Sequence, residues 1–317
     1  MKKIAINGFG RIGRLFFRQA LSHPELEIVA INDLGDPHNL AYLLKYDSVY
    51  RTLEEEISIE GDVLRVGRRE VKVFQEKDPA KLPWKDLDID VVIESTGAFT
   101  TFESAFVHVE SAGAKRVVIT APAKDEEGVK GGRTVLMGIN ADQLSTCQIS
   151  SNGSCTTNAA GPVVAILSAN PGIEKAVLTT VHGYTASQAL VDGPVKKDFR
   201  RGRAAAQNII PSTTGAAVSV TRALPELEHK FDGIAMRVPV IAGSLIDITF
   251  VASRKTSVEE INGILSEAAQ SDLWKDLIKV VNEPIVSSDV IREPYGSIID
   301  TSYTKVIDSD LVKVLSW

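Results

Sequence analysis

The sequence predicts an α/β chain of two domains: a doubly wound parallel sheet in residues 1–154, and an α+β domain with a mostly antiparallel mixed sheet in residues 155–317. Three observations support this prediction. The chain has 317 residues, which is the length of about two domains. Short apolar runs alternate with helical patterns in the first half. After about residue 154 the apolar runs become longer and the helical patterns fewer.

The first half begins with a strand, a helix and a second strand. Ile4–Ile6 and Ile28–Ile31 are short apolar runs, and between them apolar residues recur at helical spacing, namely Leu15, Phe16, Ala20 and Leu21. This order is typical of a βαβ unit, whose two strands are parallel. Short alternating runs within Glu56–Phe74, interrupted near Gly61 and Gly67, predict an inserted hairpin.

The alternating order resumes after this hairpin. Asp90–Glu94 is typical of a buried strand. Thr100, with Glu103 three residues later, predicts a capping box at the start of a helix. Gly113 is expected to end that helix, and Val117–Ile119 begins the next strand.

The second half contains longer apolar runs, which we expect to be strands of a larger sheet: Ala176–Val181, Ile234–Val240 and Leu245–Val251. Only one clear helix is predicted among and after these runs. It begins at Ser257 with Glu260 as its capping partner. The segment Gly183–Gln207 is long for a loop in a compact domain, and such loops are usually functional.

Composition and charge exclude several classes of protein. The chain has 35 basic and 41 acidic residues, a formal net charge of −6, and no long run of one sign. Nucleic acid and membrane are therefore not expected as partners. The apolar start of the chain is too short for a signal peptide, and no apolar run approaches the roughly 20 residues that span a bilayer. Cys147 and Cys155 fit neither a disulfide framework nor a metal site, so we expect a cytoplasmic protein without a metal.

A glycine motif follows the first predicted strand. Gly8, Gly10 and Gly13 form the pattern GxGxxG where the first helix opens, and Asp33 lies 20 residues after Gly13, at the end of the second strand. Such glycines let the backbone approach the pyrophosphate of a dinucleotide, and the carboxylate accepts hydrogen bonds from ribose hydroxyls. Because a carboxylate repels a 2′-phosphate, the motif predicts a Rossmann domain that prefers NAD over NADP.

A candidate nucleophile lies at the junction of the two halves. Residues 156–169 have a helical pattern, which places Cys155 at the positive end of a helix, where the thiolate is favoured. A lone cysteine is more often a small buried hydrophobic residue, but the neighbours of Cys155 are polar and turn-forming. Cys147 lacks such a setting and is expected to be structural.

A nucleophilic thiol needs a base, and the chain has five histidines. His182 ends an apolar run and would project from a strand end toward the junction that holds Cys155. The pattern is equally consistent with a hydrogen-bonded histidine that only ends a strand. The other four histidines are expected at the surface: His23, His38, His108 and His229.

Several segments together resemble one enzyme family: Asn7–Arg14, Ser151–Asn158, Thr179–Thr185, Arg200–Ala205, Pro211–Ala216 and Met236–Pro239. In this order, and over residues 1 to 317, the chain is similar to phosphorylating glyceraldehyde-3-phosphate dehydrogenase. The resemblance implies an NAD-binding Rossmann domain in residues 1–154 and a catalytic domain in residues 155–317. It also implies a homotetramer in which Gly183–Gln207 lies near subunit interfaces and the cofactor.

The resemblance implies a mechanism as well. Cys155 attacks the aldehyde carbon of glyceraldehyde 3-phosphate to give a hemithioacetal, and His182 removes the hydroxyl proton as hydride leaves for NAD. Inorganic phosphate then converts the thioester to 1,3-bisphosphoglycerate. The residues that match phosphate-binding positions are Thr185 and Arg237 for the substrate, Ser154, Thr214 and Gly215 for inorganic phosphate, Arg201 shared with that site, and Thr156 of the same SCTTN block. Without the resemblance, Arg201 would be read as part of a solvated basic cluster.

Further cofactor positions come from the resemblance. Arg11 and Ile12 match backbone contacts to the pyrophosphate, and Thr96, Gly97 and Thr120 match residues that line the nucleotide groove. The last three follow predicted strands, and ligands of such sheets bind at the carboxyl ends of the strands.

The sequence departs from the family pattern at three places. Ala159 stands where many members have a second cysteine, and Ser187 where some have Asp or Thr near the substrate phosphate. Leu311–Trp317 stands where the family continues into an Asn-bearing turn, which would hold the nicotinamide, and a terminal helix. A second hypothesis is therefore a catalytically weak NAD-binding protein. A third is an erythrose-4-phosphate dehydrogenase, against which Thr213–Gly215 argues because it matches the inorganic-phosphate site.

Overall fold

The structure, a computed structural model, describes residues 1–196 and 198–317. The chain forms two compact units. The first unit contains Met1–Val135 and Asp142–Gly153, and the second contains Leu136–Ala141 and Ser154–Trp317. The limits expected from the sequence differ from these units at Ser154 and at residues 136–141.

Within its described residues, the first unit contains four α-helices and eleven strands. They are β1 (Lys2–Asn7), α1 (Arg11–Ala20), β2 (Leu26–Asn32), α2 (Pro37–Lys45), β3 (Tyr46–Asp47), β4 (Arg51–Thr52), β5 (Ile57–Glu60), β6 (Val63–Val66), β7 (Arg69–Phe74), β8 (Val91–Glu94), α3 (Phe102–Ala105), α4 (Val107–Glu110), β9 (Arg116–Ile119), β10 (Arg133–Thr134) and β11 (Ile149–Ser151).

Nine of these strands form one sheet in the order β10-β11-β9-β8-β1-β2-β7-β6-β5. The pairs β5/β6 and β6/β7 are antiparallel and form the predicted hairpin. All other neighbouring strands, including β2 and β7, are parallel. The predicted doubly wound parallel sheet is confirmed. Since β1, β2, β7 and β8 are parallel, their carboxyl ends lie along one edge of the sheet.

Both faces of this sheet are buried, which explains the continuous apolar runs of its strands. On β1, Ile4 and Ile6 belong to an apolar cluster that includes Phe17 of α1. Ala5, between them, belongs to a second cluster that includes Trp84. Consecutive residues of one strand therefore contribute to two cores, as the alternation of side chains along a strand requires.

The predicted capping box is wrong by one residue. Thr101, not Thr100, precedes α3, and its Oγ1 accepts the amide of Ser104 at 3.0 Å. Ser104, and not Glu103, therefore supplies the second residue of the capping box, and its Oγ accepts the Thr101 amide at 3.3 Å. The carboxylate of Asp125 also accepts the amides of Phe102 and Glu103 at 2.9 and 3.0 Å. This contact from a distant part of the chain caps the helix start and cannot be read from local spacing.

The expected surface position of His108 is also wrong. His108 lies on α4 and has no exposed surface. Trp84 Nε1 donates to its Nδ1 at 3.0 Å, and its Nε2 lies 3.1 Å from Glu94 Oε2. Both ring nitrogens have partners inside the fold, so burial leaves neither of them unsatisfied. His23, His38 and His229 are exposed, as predicted.

The second unit consists of α5 (Cys155–Ala169), β12 (Ile173–Gly183), β13 (Ile210–Thr213), α6 (Ala216–Ala223), β14 (Phe231–Val238), β15 (Ser244–Ala252), α7 (Val258–Gln270), β16 (Ile278–Val281), β17 (Ser297–Ile307) and β18 (Leu311–Ser316). Its seven strands have the order β13-β14-β12-β15-β18-β17-β16. Two neighbouring pairs, β12/β14 and β16/β17, are parallel and the other four are antiparallel. The predicted mixed sheet is confirmed.

One apolar core joins the helices of the second unit to its sheet. It contains Val163 of α5, Val220 of α6 and Leu265 of α7 together with sheet residues such as Ile248. The helix α6 was not predicted, because it is only eight residues long and its buried apolar residues are few: Ala216, Ala217 and Val220. The start of α7 is as predicted.

The cap of α7 uses Glu260 only through its backbone. Ser257 Oγ accepts the amide of Glu260 at 3.2 Å, but the Glu260 carboxylate binds Arg254 at 2.6 Å and Thr256 at 2.8 Å. The long segment Gly183–Gln207 is described except for Lys197. It folds on itself, since the amides of Ala189 and Gly193 donate to Arg201 and Gly202 at 2.9 Å. Within the described residues, no helix has both the length and the apolarity needed to cross a membrane.

Candidate active site and dinucleotide pocket

The start of α5 presents Cys155 at its first turn. Ser154 is the N-cap, and its Oγ accepts the amide of Thr157 at 3.1 Å. Thr157 Oγ1 accepts the Ser154 amide at 3.0 Å, which completes a capping box. The polar sequence around the cysteine is thus needed to begin the helix. The side chain of Cys155 is exposed, while Cys147 is buried.

The end of β12 brings His182 to this cysteine. His182 Nε2 lies 3.2 Å from Cys155 Sγ, so the two form the predicted pair. On the other side of the ring, Nδ1 lies 2.6 Å from the Gly183 carbonyl oxygen and 2.5 Å from Arg237 Nη1. Arg237 Nη1 also donates to that carbonyl at 3.0 Å. These contacts hold the ring with Nε2 toward the sulfur.

The surroundings of Cys155 favour its thiolate. Desolvation alone would raise the pKa of this thiol, but the hydrogen bond and charge of His182, together with hydrogen bonds from Thr156, outweigh it and hold the pKa below its usual value. Cys147 shows the opposite effect, because burial raises its pKa. The environment therefore favours the thiolate at Cys155 and the thiol at Cys147.

Arg237 contacts His182, and a second arginine, Arg201, lies near Arg237. Arg237 lies opposite His182 in the pairing of β14 with β12. Burial lowers the pKa of Arg237, the charge of Cys155 raises it, and the charge of Arg201 lowers it. Arg201 Nη2 donates to Ser212 on β13 at 2.8 Å. The structure therefore brings Cys155, His182 and Arg237 together, with Arg201 near Arg237, and guanidinium groups suit an anionic ligand.

The other predicted phosphate ligands occupy helix starts and a loop. Thr156 is buried in the first turn of α5, with Oγ1 3.4 Å from Thr180 Oγ1. Gly215 is the N-cap of α6, and Thr214 Oγ1 accepts the Ala216 amide at 3.2 Å. Thr185, in the exposed loop after β12, pairs its hydroxyl with Ser187 at 2.9 Å. The present contacts of Thr185 are thus with its own loop.

A cavity of about 430 Å³ lies at the carboxyl edge of the first unit's sheet. Four of the nine predicted cofactor residues line it: Gly8, Gly10, Asp33 and Thr96. A side-chain carbon added at Gly10 would meet no atom within 4 Å, so open space lies against the N-terminus of α1. A concave space beside a helix N-terminus and a strand-end carboxylate fits the pyrophosphate and ribose of NAD.

The loop at this cavity is held closely by its glycines and by Asp33. A side-chain carbon at Gly13 would lie 2.1 Å from the Gly8 carbonyl oxygen. Gly8 has φ +92°, which favours glycine. Asp33 accepts the amide of Phe9 at 2.7 Å and that of Gly35 at 2.8 Å. The carboxylate is therefore fixed by the backbone that it helps to shape.

The other five predicted cofactor residues do not line the cavity. Arg11, Ile12 and Gly13 form the first turn of α1, and the Arg11 side chain contacts Asp47 at 3.3 Å. Gly97 has φ +72° in the turn after β8, and Thr120 Oγ1 donates to the Glu94 carbonyl at 3.0 Å.

Sequence reasoning missed several residues that line this cavity: Asn7, Asn32, Leu34, Glu76, Lys77, Pro79, Ser95, Ala98 and Phe99. Asn7 and Asn32 end the first two strands, and this position was a usable signal. Glu76 and Lys77 follow β7, whose parallel pairing with β2 was not evident from its place in a hairpin. Among the described residues, no group of three or more acidic, histidine or cysteine side chains could hold a metal ion.

The fold of the first unit and the cavity at its strand ends are typical of dinucleotide-binding proteins. The family model of the glyceraldehyde 3-phosphate dehydrogenase NAD binding domain matches residues 2–102, and that of the C-terminal domain matches residues 154–317. The chain belongs to the glyceraldehyde 3-phosphate dehydrogenase family. The predictions of the family and of NAD as the cofactor are confirmed.

Curated relatives match over nearly the full chain. Glyceraldehyde-3-phosphate dehydrogenase of Geobacillus stearothermophilus is 47% identical over 317 residues, which cover 99% of this chain and 92% of the relative. The protein of the same name from Mycolicibacterium smegmatis is 46% identical, covering 99% and 93%. Glyceraldehyde-3-phosphate dehydrogenase 1 of Bacillus subtilis is 46% identical, covering 99% and 92%.

Proposed function

We propose that the chain catalyses the NAD-dependent oxidation and phosphorylation of glyceraldehyde 3-phosphate to 1,3-bisphosphoglycerate. The observation that carries the proposal is Cys155 Sγ at 3.2 Å from His182 Nε2, with a lowered thiol pKa, Arg237 against the histidine and Arg201 near Arg237. A thiolate, a base and cations are what the attack on a phosphorylated aldehyde requires. The names of the relatives agree with this reaction.

Cys155 acts as the nucleophile in this proposal. Its thiolate adds to the aldehyde carbon to form a hemithioacetal, and His182 Nε2 takes the proton of the new hydroxyl as hydride leaves the carbon. When bound, NAD supplies the acceptor for that hydride. Cys155 then carries the acyl group as a thioester. An oxygen of inorganic phosphate attacks this thioester and the thiolate leaves, which regenerates Cys155 and releases the acyl phosphate.

The phosphate groups are assigned to the cations and helix starts around Cys155. We assign the substrate phosphate to Arg237 and Thr185. We assign inorganic phosphate to a set that shares Arg201 and includes two helix N-termini: Ser154, Thr156, Thr214 and Gly215. The charges of Arg237 and Arg201 and the positive ends of the helices α5 and α6 support this assignment.

The cofactor is assigned to the first unit. Gly8, Gly10 and Gly13, with the backbone of Arg11 and Ile12, would hold its pyrophosphate. The remaining positions would line the nucleoside groove: Asp33, Thr96, Gly97 and Thr120. On this basis residues 1–154 form the NAD-binding domain and residues 155–317 the catalytic domain.

The proposal includes a homotetramer in the cytoplasm. Leu190, Val191 and Phe199 each expose more than 70% of their surface, which supports burial of the segment Gly183–Gln207 against another copy of the chain. Two free cysteines fit a reducing compartment.

The proposal is tested by NADH formation from NAD and glyceraldehyde 3-phosphate, with and without inorganic phosphate, using protein of measured mass and oligomeric state. We expect turnover that needs phosphate and is lost in Cys155→Ser. NAD binding without turnover would instead favour the weak NAD-binding protein. Faster, phosphate-independent turnover of erythrose 4-phosphate would favour the other dehydrogenase.

A further inference from the structure

A buried carboxylate lies behind the dinucleotide pocket. Glu94 ends β8 and exposes 2% of its surface. Asn7 Nδ2 donates to Glu94 Oε2 at 2.6 Å, and His108 Nε2 lies 3.1 Å from the same oxygen. The other oxygen, Oε1, accepts the amide of Thr96 at 2.9 Å and also the Thr96 hydroxyl. Four groups thus converge on one carboxylate.

The tautomer of His108 follows from Trp84. Trp84 Nε1 carries a hydrogen and is only a donor, so His108 Nδ1, 3.0 Å away, must accept. The single ring proton is therefore on Nε2, which donates to Glu94. Asn7 Nδ2 lies 3.2 Å from this nitrogen, and both groups direct their hydrogens to the same carboxylate oxygen. All four groups then donate to the carboxylate as neutral donors.

This network continues into the walls of the pocket. Asn7 Oδ1 accepts Asn32 Nδ2 at 2.7 Å, and Asn32 Oδ1 accepts the amide of Glu76 at 2.8 Å. Asn7, Asn32, Glu76 and Thr96 all line the cavity, whereas Glu94 does not. One carboxylate therefore fixes, directly or through one or two further side chains, the ends of β1, β2 and β8 and the turn after β7.

We propose that Glu94, oriented by His108, is the positioning residue that holds the nucleotide pocket in its binding shape. The inference rests on the proposed placement of NAD in this pocket. Glu94 does not need to contact the cofactor, because its two oxygens set where Asn7 and Thr96 stand. Both of its oxygens are needed, because a carboxamide at position 94 would offer only one oxygen for four donors.

The decisive variant is Glu94→Gln. The introduced amide group would face the N–H groups of Asn7 or His108, so that donor meets donor. Asn7→Asp in the same chain should relieve this conflict, because an aspartate at position 7 accepts from the new amide, from His108 Nε2 and from Asn32. We expect Glu94→Gln to raise the NAD dissociation constant about tenfold or more. The double variant should return it to within about threefold of the parent.

A matched control is available in the same unit. Glu127 also accepts the amide and the hydroxyl of one threonine, Thr134, at 2.9 and 2.5 Å, and it does not line the pocket. Glu127→Gln should leave NAD affinity unchanged. The alkylation rate of Cys155 without NAD reports on the second unit and should not change in any variant. If Glu94→Gln does not fold, His108→Gln replaces it, and we expect weakened NAD binding there too.

The outcomes separate this inference from the placement of NAD. Asp33→Asn should weaken NAD binding if the pocket is right. If Asp33→Asn weakens NAD and Glu94→Gln folds and binds NAD like the parent, the inference is overturned and the placement stands. A folded double variant without recovered affinity also overturns it. If neither Asp33→Asn nor Glu94→Gln changes affinity, the pocket is not the NAD site and both ideas fail.

Discussion

Removal of the His182 ring should reduce the reactivity of Cys155 in a pH-dependent way. His182 Nε2 lies 3.2 Å from the sulfur, and its hydrogen bond and charge lower the thiol pKa against the effect of desolvation. In His182→Ala the pKa should therefore rise. The parent thiolate persists to lower pH than that of the variant, so the parent reacts faster at low pH. Once both thiols are ionised the order reverses, because the more basic thiolate of the variant is the better nucleophile.

The size of the effect can be worked from the contact. A hydrogen bond to a charged group contributes about 1.5–3 kcal/mol, and we take the lower end because the Cys155 side chain is exposed to solvent. Loss of about 1.5 kcal/mol reduces the thiolate fraction about tenfold below the pKa. A more basic thiolate is more nucleophilic, which recovers about threefold. At pH below the pKa of both thiols the net decrease should thus be about three- to fourfold.

Alkylation by iodoacetamide, followed from low to high pH by the mass of the protein, measures this rate. Cys147 is buried with a raised pKa, so a single label is expected, and Cys155→Ser should take up none. His229→Ala is the matched control, because that ring is exposed and its one charged contact is with Glu228 at 3.9 Å. A His182→Ala profile that superimposes on the parent profile would refute the role of His182.

Two further predictions concern packing. Gly13→Ala places a carbon 2.1 Å from the Gly8 carbonyl oxygen and should lower both the thermal midpoint and the NAD affinity. Gly10→Ala meets no atom within 4 Å and should lower the NAD affinity alone. NAD titration and thermal melts distinguish the two variants, and an equal loss of thermal midpoint in both would contradict this reasoning. Leu265→Ala, in the core under α7, should cost about 2–5 kcal/mol of unfolding free energy by urea titration, while the exposed Leu273→Ala should change it by less than about 0.5 kcal/mol; similar losses would contradict the packing.

The elements that sequence patterns predicted are those stabilised by their own residues. The spacing of apolar residues predicts β1 and α1, and the backbone freedom of Gly8 explains the loop between them. The start of α7 follows from Ser257. The start of α3 was misplaced because the carboxylate of Asp125 caps it from more than 20 residues away. Local spacing carries no information about such a contact.

The same distinction applies to the sites. The pairing of Cys155 with His182 was predictable because a helix start and a strand end identify both residues in the sequence. Asn32 and Glu76 were missed as pocket residues, since their places depend on the parallel pairing of β2 with β7. The hairpin pattern predicts that β5, β6 and β7 pair antiparallel with one another. It does not predict that β7 also pairs with β2.

The two partly or fully buried histidines show why residue type alone decides little. His108 was expected at the surface and His182 near a thiol, yet both have a polar group at each ring nitrogen. Trp84 can only donate, so it keeps His108 Nδ1 unprotonated and the ring neutral, with one proton to give to Glu94. His182 has instead both a carbonyl oxygen and Arg237 Nη1 at Nδ1, and its Nε2 faces a thiol, a group that can give up a proton. The first environment holds one protonation state and suits a positioning role, whereas the second permits proton transfer. The difference lies in the partners that the fold supplies. Trp84 is 24 residues from His108 along the chain, and Cys155 is 27 residues from His182.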